Sequence, residues 1–171
     1  MRYSIRQTGV YKFTESQESL FTQVVISEQY LQELKEREIS LESLCKHNSF
    51  DFVSLQLDEA ELQFLHVTSL HNLQSIKTHG LRYESNDYIP DLGEGIYLVD
   101  RNSIEGIENL KDYLTDFEYD ELAVITGSFV GSIQYCIYGE GHEGYVLVKD
   151  TIKPEDLSIE VMKTSDFLYN Y

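Results

Sequence analysis

The most constraining feature of the sequence is the order of its periodic segments after residue 60. A strand candidate is followed by a short helix, a polar stretch with Pro90, a second strand, a second helix, and then a run of strands. The strand candidates are short apolar runs or alternate at period two, and the helix candidates carry apolar residues three or four positions apart. This order predicts an α+β fold rather than a regularly alternating α/β fold. The segments are residues 62–67, 70–79, 95–99, 101–117, 122–127, 132–138, 145–148 and 157–161.

Residues 1–60 form a predicted N-terminal extension or accessory layer in front of a domain that spans residues 61–171. The sequence contains neither an internal repeat nor a low-complexity linker between the two parts. No motif decides whether the first part covers a sheet edge, selects a target, inhibits or dimerises. Its candidate elements are strands at 3–6 and 52–57 and helices at 27–36 and 40–46.

Four residues are placed to begin or end helices. Ser27, Ser40 and Ser69 each precede a helix candidate, where a hydroxyl can accept a hydrogen bond from a free backbone N–H. Gly80 follows the last apolar position of the helix at 70–79, where glycine commonly ends a helix.

The net charge of the chain restricts its partners. Thirty acidic and 13 basic residues give −17. Direct nucleic-acid binding is disfavoured, because phosphate contacts need Lys and Arg. Three interpretations of the acidic charge stay open: it binds a basic partner, it imitates nucleic acid electrostatically, or it simply keeps the chain in solution.

The sequence also predicts an intracellular, cytoplasmic protein. The N-terminus lacks an apolar signal core, and no apolar run approaches the ~20 residues that a membrane helix needs. Cys45 and Cys136 form neither a disulfide framework nor a zinc spacing, and the histidines show no metal spacing, so no metal is expected.

Three polar residues occupy strand ends where chemistry can be placed. His66 lies in an otherwise apolar strand. Tyr97 follows Gly93 and Gly95, which allow a backbone or ligand to approach closely. Glu143 lies in a glycine-rich turn that opens an apolar strand. Taken singly, each is equally an ordinary structural residue.

Together these residues resemble the ADP-ribosyltransferase fold, in the branch shared by diphtheria-type toxins and poly(ADP-ribose) polymerases, which carries a His-Tyr-Glu signature. In that branch a His-x-Ser/Thr strand precedes a helix ending in Gly-Leu, and a Gly-x-Gly-Ile-Tyr strand follows. The resemblance covers residues 61–162. The matching residues are His66-Val67-Thr68, Gly80-Leu81, Gly93-Glu94-Gly95-Ile96-Tyr97, and farther on Glu143, Ile152, Pro154 and Leu157.

The resemblance implies split antiparallel sheets that enclose NAD, the substrate from which ADP-ribose is transferred to a macromolecular target, in a toxin-type or defence-modulating enzyme. His66 would bond a ribose hydroxyl, the Val67 backbone would meet the nicotinamide carboxamide, and Thr68 would add a hydroxyl contact. Tyr97, behind Gly95, would stack on the nicotinamide ring. Glu143 would bind the nicotinamide ribose and stabilise the positive charge that develops as nicotinamide leaves.

The sequence departs from the family pattern at several positions. Glu108 falls where the family places a second aromatic residue, and Tyr113 and Phe117 are the candidates to replace it. Val67 replaces a more usual glycine. Gly144 stands where an aromatic residue is usual if Glu143 is the catalytic carboxylate, and Glu140 is the rival for that role.

Two other functions stay open at this point. One is an NAD-dependent RNA 2′-phosphotransferase of the same fold, for which only Lys77, Arg82 and Arg101 near the motif could meet RNA phosphate. The other is a non-catalytic acidic protein that mimics nucleic acid or inhibits a basic partner.

Overall fold

A computed structural model describes the backbone of residues 10–15 and all of residues 22–83, 92 and 95–171, and it shows an α+β fold. The described strands form one sheet in the order β1-β2-β3-β4-β6-β5-β7. The strands are β1 Val10–Glu15, β2 Thr22–Ser27, β3 Phe52–Ser69, β4 Ile96–Asp100, β5 Glu121–Tyr138, β6 Tyr145–Val148 and β7 Leu157–Lys163. The helices are α1 Glu28–Glu36, α2 Leu41–Asn48, α3 Leu73–His79, α4 Ile104–Thr115 and α5 Thr164–Asn170.

Two long strands, β3 and β5, form the centre of the sheet. They pair antiparallel from Val53 opposite Tyr138 to Ser69 opposite Leu122. Each replaces two shorter strands that the sequence predicted, at 52–57 and 62–67 and at 122–127 and 132–138. The sequence predicted a break between two strands at residues 58–61, three of which are acidic. In the structure β3 continues through these residues, and its pairing with β5 continues through a register shift. The ladder of backbone hydrogen bonds therefore carries the strands through residues that their side-chain pattern does not favour.

Four of the strands close on one another. β3 pairs with β4, β4 with β6, β6 with β5, and β5 again with β3. Alternate residues of all four strands point into the enclosed space and form its apolar core. These residues are Leu62 and Phe64 of β3, Ile96 and Leu98 of β4, Ile125, Phe129 and Ile133 of β5, and Val146 and Val148 of β6.

The circuit opens between β3 and β4. These strands pair only at Phe64 opposite Asp100 and Leu65 opposite Val99. β4 then stays with β6 as far as Ile96, while the rest of β3 stays with β5. The backbones of β3 and β4 consequently separate from His66 onward, and a mouth forms between them.

The N-terminal layer extends the sheet at β3. β2 runs parallel to the first residues of β3, and α1 and α2 cover a core that includes Ile26, Leu34 and Val53. The predicted caps are confirmed, since Ser27 accepts from Tyr30 N at 3.0 Å and Ser40 from Ser43 N at 3.1 Å. β1 and β2 were not predicted, and the strand expected at 3–6 lies outside the described residues.

β3 crosses residue 60 as a single strand. The domain boundary drawn there from the sequence stays a prediction, and any such boundary runs within this strand. The predicted polar stretch around Pro90, and Gly93 and Glu94 of the glycine motif, lie outside the described residues.

Two of the three helices after β3 were predicted, and both begin three residues later than expected. Ser69 makes no side-chain cap, because residues 70–72 form a 3-10 turn before α3 begins. Gly80 ends α3 at φ 77°, as predicted. α5 was not predicted, although its Phe167 is fully buried. Among the described helices, none is long and apolar enough to cross a membrane.

Two glycines let α4 touch the turn between β5 and β6. A methyl group at Gly144, where φ is 85°, would lie 2.5 Å from the Cα atom of Gly106 in α4. Asn109, one turn farther along α4, donates to the carbonyl oxygen of Glu143 at 2.9 Å. The turn and the helix are thereby fixed to each other.

Gly144→Ala should lower the free energy of unfolding by about 2–4 kcal/mol, as the sum of overpacking and a strained backbone. Gly141→Ala is the matched control, because Gly141 also has a positive φ, 76°, but a methyl group there meets no atom within 4 Å. It should cost only about 1 kcal/mol. Urea denaturation measures both, and equal losses would refute the close contact.

Candidate functional site

A cleft of about 650 Å³ occupies the mouth between β3 and β4. We call it the β3–β4 cleft. Its volume lies within the range of roughly 300–1,000 Å³ that is usual for small-molecule sites. The described residues that line it are Leu65, His66, Val67, Thr68, Asn72, Ser75, Ile76, Gly80, Leu81, Arg82, Tyr83, Gly95, Ile96, Tyr97, Val99, Leu110, Tyr113, Gly141, His142 and Tyr145.

The cleft brings together most of the residues that the sequence proposed as a site. His66, Val67 and Thr68 come from β3 where it leaves β4, and Gly95 and Tyr97 come from the start of β4. Residues about thirty positions apart in sequence thus face one space. Glu143 is the exception, because it does not line the cleft.

His66 bridges the two strands where their backbones part. Its Nδ1 lies 2.8 Å from the carbonyl oxygen of Tyr97. A carbonyl only accepts, so Nδ1 carries the proton, and in the neutral ring Nε2 is left as an acceptor. The hydrogen bond therefore fixes both the orientation of the imidazole and its tautomer.

Burial controls the charge of His66. Desolvation lowers the pKa of the imidazole below its ordinary value, and the hydrogen bond to Tyr97 opposes this in part. Desolvation is the larger effect, so the ring favours the neutral form. His66 is accordingly suited to accept a hydrogen bond from a ligand hydroxyl rather than to bind an anion.

Tyr97 is held at its hydroxyl end. The hydroxyl accepts from the backbone N–H of Leu92 at 2.9 Å, and the ring packs against the cluster that contains Leu92 and Leu147. Leu92 is itself fixed, because Gln134 donates to its carbonyl oxygen at 3.1 Å and the buried Gln23 donates to the same oxygen. Gln23 belongs to β2, so the N-terminal layer reaches Tyr97 through Leu92.

Glu143 is half-buried and does not line the cleft. One carboxylate oxygen accepts from Gly139 N at 3.4 Å, which is a long hydrogen bond. Burial raises the pKa of the Cys136 thiol to about 12, and the Glu143 charge acts in the same direction. Glu140, the rival carboxylate, is exposed and does not line the cleft either.

The turn that carries Glu143 supplies other residues to the cleft. Gly141, His142 and Tyr145 line it, and the His142 ring lies between Phe52, at 4.6 Å, and Tyr145, at 5.9 Å. Neither His142 nor Tyr145 was predicted from the sequence as a site residue. The only available signal was the placement of aromatic residues around a glycine-rich turn.

The two candidates for the second aromatic residue differ in their position relative to the cleft. Tyr113 of α4 lines the cleft, whereas Phe117 does not. Glu108, at the position suggested by the family pattern, is exposed and pairs with Lys111 at 3.2 Å. Tyr113 lies near Tyr145, whose pKa rises to about 12 through burial first and the neighbouring Tyr113 second.

The cleft differs in charge from the chain as a whole. None of its described lining residues is Asp or Glu, although the chain has 30 of them, and Arg82 adds a positive charge. Within the described ranges there is also no cluster of three or more His, Cys, Asp or Glu residues that could hold a metal ion. The described lining is therefore compatible with an uncharged or anionic organic ligand.

The chain matches no protein-family model, no curated protein and no solved structure. The features that bear on its function are the fixed His66–Tyr97 pair, the aromatic rings around the cavity, and the single described cation at the edge of the cavity.

The lowered pKa of His66 predicts a loss of stability in mild acid. Because the folded-state pKa lies below the unfolded value of about 6.5, the unfolded chain takes up this proton first as the pH falls. The contribution of neutral His66 to the free energy of unfolding is complete above about pH 6.5. It declines as the pH falls, until the folded-state pKa is reached. Each unit of lowering corresponds to about 1.4 kcal/mol.

His66→Asn keeps a donor for Tyr97 and removes the titration. Urea denaturation at pH 7.5 and 5.5 should show a smaller loss for the variant than for the wild-type chain. The acidic residues titrate in both proteins and cancel in the comparison. Equal losses would show that His66 does not carry a lowered pKa.

Proposed function

We propose that the protein is an NAD-dependent ADP-ribosyltransferase that modifies a macromolecular target. The observation that supports this most directly is the hydrogen bond between His66 Nδ1 and the Tyr97 carbonyl oxygen across the mouth of a ligand-sized cleft. It joins the two strands that carry the first two residues of the His-Tyr-Glu signature, and both residues line the cleft.

The nicotinamide riboside half of NAD fits the inner residues of the cleft. The free Nε2 of His66 can accept from a ribose hydroxyl, and Val67 and Thr68 follow it along the same strand. Tyr97, fixed by Leu92, supports a stacking platform for the flat ring, and Tyr113 is the candidate for its other face.

The diphosphate of NAD fits the charge of the cleft. Arg82 can offer a planar cation to phosphate oxygens, and the absence of carboxylates from the described lining avoids repulsion. A strongly acidic chain would otherwise repel a dinucleotide that carries negative charge.

The proposed reaction is a substitution at the anomeric carbon of the nicotinamide ribose. The N-glycosidic bond breaks, nicotinamide leaves with the bonding electrons, and a nucleophile of the target bonds to the same carbon and releases its proton. Positive charge develops on the sugar, and a carboxylate opposes it. Glu143 is the proposed carboxylate, and it would exchange its long hydrogen bond to Gly139 for the ribose when NAD binds.

The cleft favours this proposal over the alternatives. A nucleic-acid mimic needs an acidic surface but has no use for a cavity whose described lining lacks acidic residues. An RNA 2′-phosphotransferase needs several cations, whereas Arg82 is the single Lys or Arg among the described lining residues. Lys77 and Arg101 do not line the cleft.

The catalytic assignment predicts the behaviour of two matched carboxylate variants. Glu143→Gln should lower the release of nicotinamide from labelled NAD by about 100-fold or more, because it removes the charge that opposes the developing cation. Glu140→Gln should change it less than about twofold. The reverse pattern would transfer the role to Glu140, and no release by the wild-type chain, with any target in a cognate lysate also unmodified, would refute the transferase proposal.

The charge of the cleft predicts how NAD affinity depends on Arg82. Arg82→Gln should raise the dissociation constant for NAD about 5- to 20-fold, while the constant for free nicotinamide stays within about twofold. Calorimetric titration of both ligands measures the difference. Lys77→Gln is a matched control outside the cleft and should leave both constants unchanged. Equal weakening of both ligands would place Arg82 away from the phosphates.

A further inference from the structure

We propose that four aromatic rings beside the cleft form a docking surface for a basic segment of the acceptor protein. The surface, called the aromatic strip, consists of His71, Tyr119, Phe117 and Tyr113. The identity of its occupant as an acceptor rests on the proposed transferase function, whereas the binding itself does not.

The rings form a continuous series. Their centroids are 5.7 Å apart between His71 and Tyr119, 5.1 Å between Tyr119 and Phe117, and 6.4 Å between Phe117 and Tyr113. Tyr119 is 46% exposed and Tyr113 is 64% exposed. Single exposed apolar residues are common on protein surfaces, whereas contiguous exposed patches often mark interaction sites. A row of neighbouring exposed rings therefore indicates a binding surface.

Both ends of the strip border the β3–β4 cleft. Tyr113 lines the cleft itself. At the other end, His71 precedes Asn72, which lines the cleft and donates to Thr68 Oγ1 at 2.8 Å. A chain lying along the strip would therefore pass the mouth in which the reactive carbon of NAD is proposed to lie.

The middle of the strip is fixed to the fold. Thr164 donates through its hydroxyl to the Tyr119 carbonyl oxygen at 2.6 Å and through its backbone N–H to the Asp120 carbonyl oxygen at 2.9 Å. Phe117 packs partly buried against the core that contains Leu110 and Leu114. The backbone at Tyr119 and the Phe117 ring are thus held in place before a partner arrives, which lowers the entropic cost of binding.

The charge around the strip selects the occupant. Between residues 112 and 121 the chain carries five exposed carboxylates and neither Lys nor Arg. Lys and Arg side chains can lie over aromatic faces while their charges meet neighbouring carboxylates. The same carboxylates repel phosphate, so the surface fits a basic peptide and disfavours nucleic acid. The five are Asp112, Asp116, Glu118, Asp120 and Glu121.

The binding is tested on the whole chain without NAD. A fluorescent peptide of alternating Lys/Arg and Gly/Ser residues is titrated by anisotropy beside a peptide with Gln in place of the basic residues and beside a single-stranded oligonucleotide. The basic peptide should bind at least about tenfold more tightly than the other two. Equal or tighter binding of the oligonucleotide, or no measurable binding of the basic peptide, overturns the proposal.

Variants locate the binding on the chain. Tyr119→Ala should raise the dissociation constant of the basic peptide about 3- to 10-fold. Tyr169→Ala is the control, because Tyr169 is 90% exposed on α5 and belongs to no ring series among the described residues. Likewise, the pair Asp116→Asn and Glu118→Gln should weaken binding more than the pair Glu59→Gln and Glu61→Gln, which removes the same net charge from exposed positions on β3. Equal effects of strip and control variants overturn the proposal.

The two proposals fail separately. Release of nicotinamide from NAD by hydrolysis depends on the cleft alone, so Tyr119→Ala should leave it within about twofold of wild type. Transfer of ADP-ribose to a basic peptide or protein should fall about 3- to 10-fold in the same variant. Peptide binding without any NAD turnover would support the aromatic strip as a docking surface and refute the transferase proposal. NAD turnover, together with peptide binding that the strip variants do not weaken, would support the transferase and refute the docking surface.

Discussion

The antiparallel pairing of β3 with β5 is the constraint on which the rest of the structure depends. It extends from Val53 opposite Tyr138 to Ser69 opposite Leu122. β2 and its helices attach to the first part of β3, β7 attaches to the first part of β5, and β4 and β6 close the circuit between the two. Because β3 and β5 remain paired on one side of the circuit, β3 and β4 can separate on the other side while the core stays enclosed.

The cleft forms where the pairing of β3 with β4 is incomplete. When β4 parts from β3, the Tyr97 carbonyl loses the strand partner it would have in a continuous ladder, and His66 replaces that partner with a side-chain donor. One hydrogen bond therefore satisfies the backbone, sets the tautomer of the imidazole and turns its other nitrogen toward the cavity. The structural role of His66 and the binding role proposed for it depend on the same hydrogen bond.

Most of the local signals in the sequence were reliable. The caps at Ser27 and Ser40 and the helix end at Gly80 follow from short-range patterns, whereas the cap predicted at Ser69 does not form. The joint placement of His66 and Tyr97 was predicted from the family resemblance, and both line the cleft. The parallel addition of β2 and the link from Gln23 through Leu92 to Tyr97 could not be predicted from the sequence. The strand pairing joins residues about thirty positions apart, and the hydrogen bond from Gln23 to Leu92 joins residues about seventy positions apart.

Side-chain direction was equally hidden. The sequence proposed Glu143 as the carboxylate of the site, but no residue pattern shows that this carboxylate accepts from Gly139 N and does not line the cleft. Nor does a pattern show that Tyr113 lines the cleft and Phe117 does not. The contact between Gly106 and Gly144, which fixes this turn to α4, is likewise encoded by no pattern of polar and apolar residues.

Because the four central strands close on one another, a strand of another molecule could pair with this sheet at its edge strands. Among the described strands, only β1 and β7 have a side without a partner strand. β7 carries exposed Glu160 and Lys163 and leads directly into α5. Charged residues on a short edge strand discourage the addition of a strand from another molecule. At β7, then, the chain carries built-in protection against edge-to-edge aggregation.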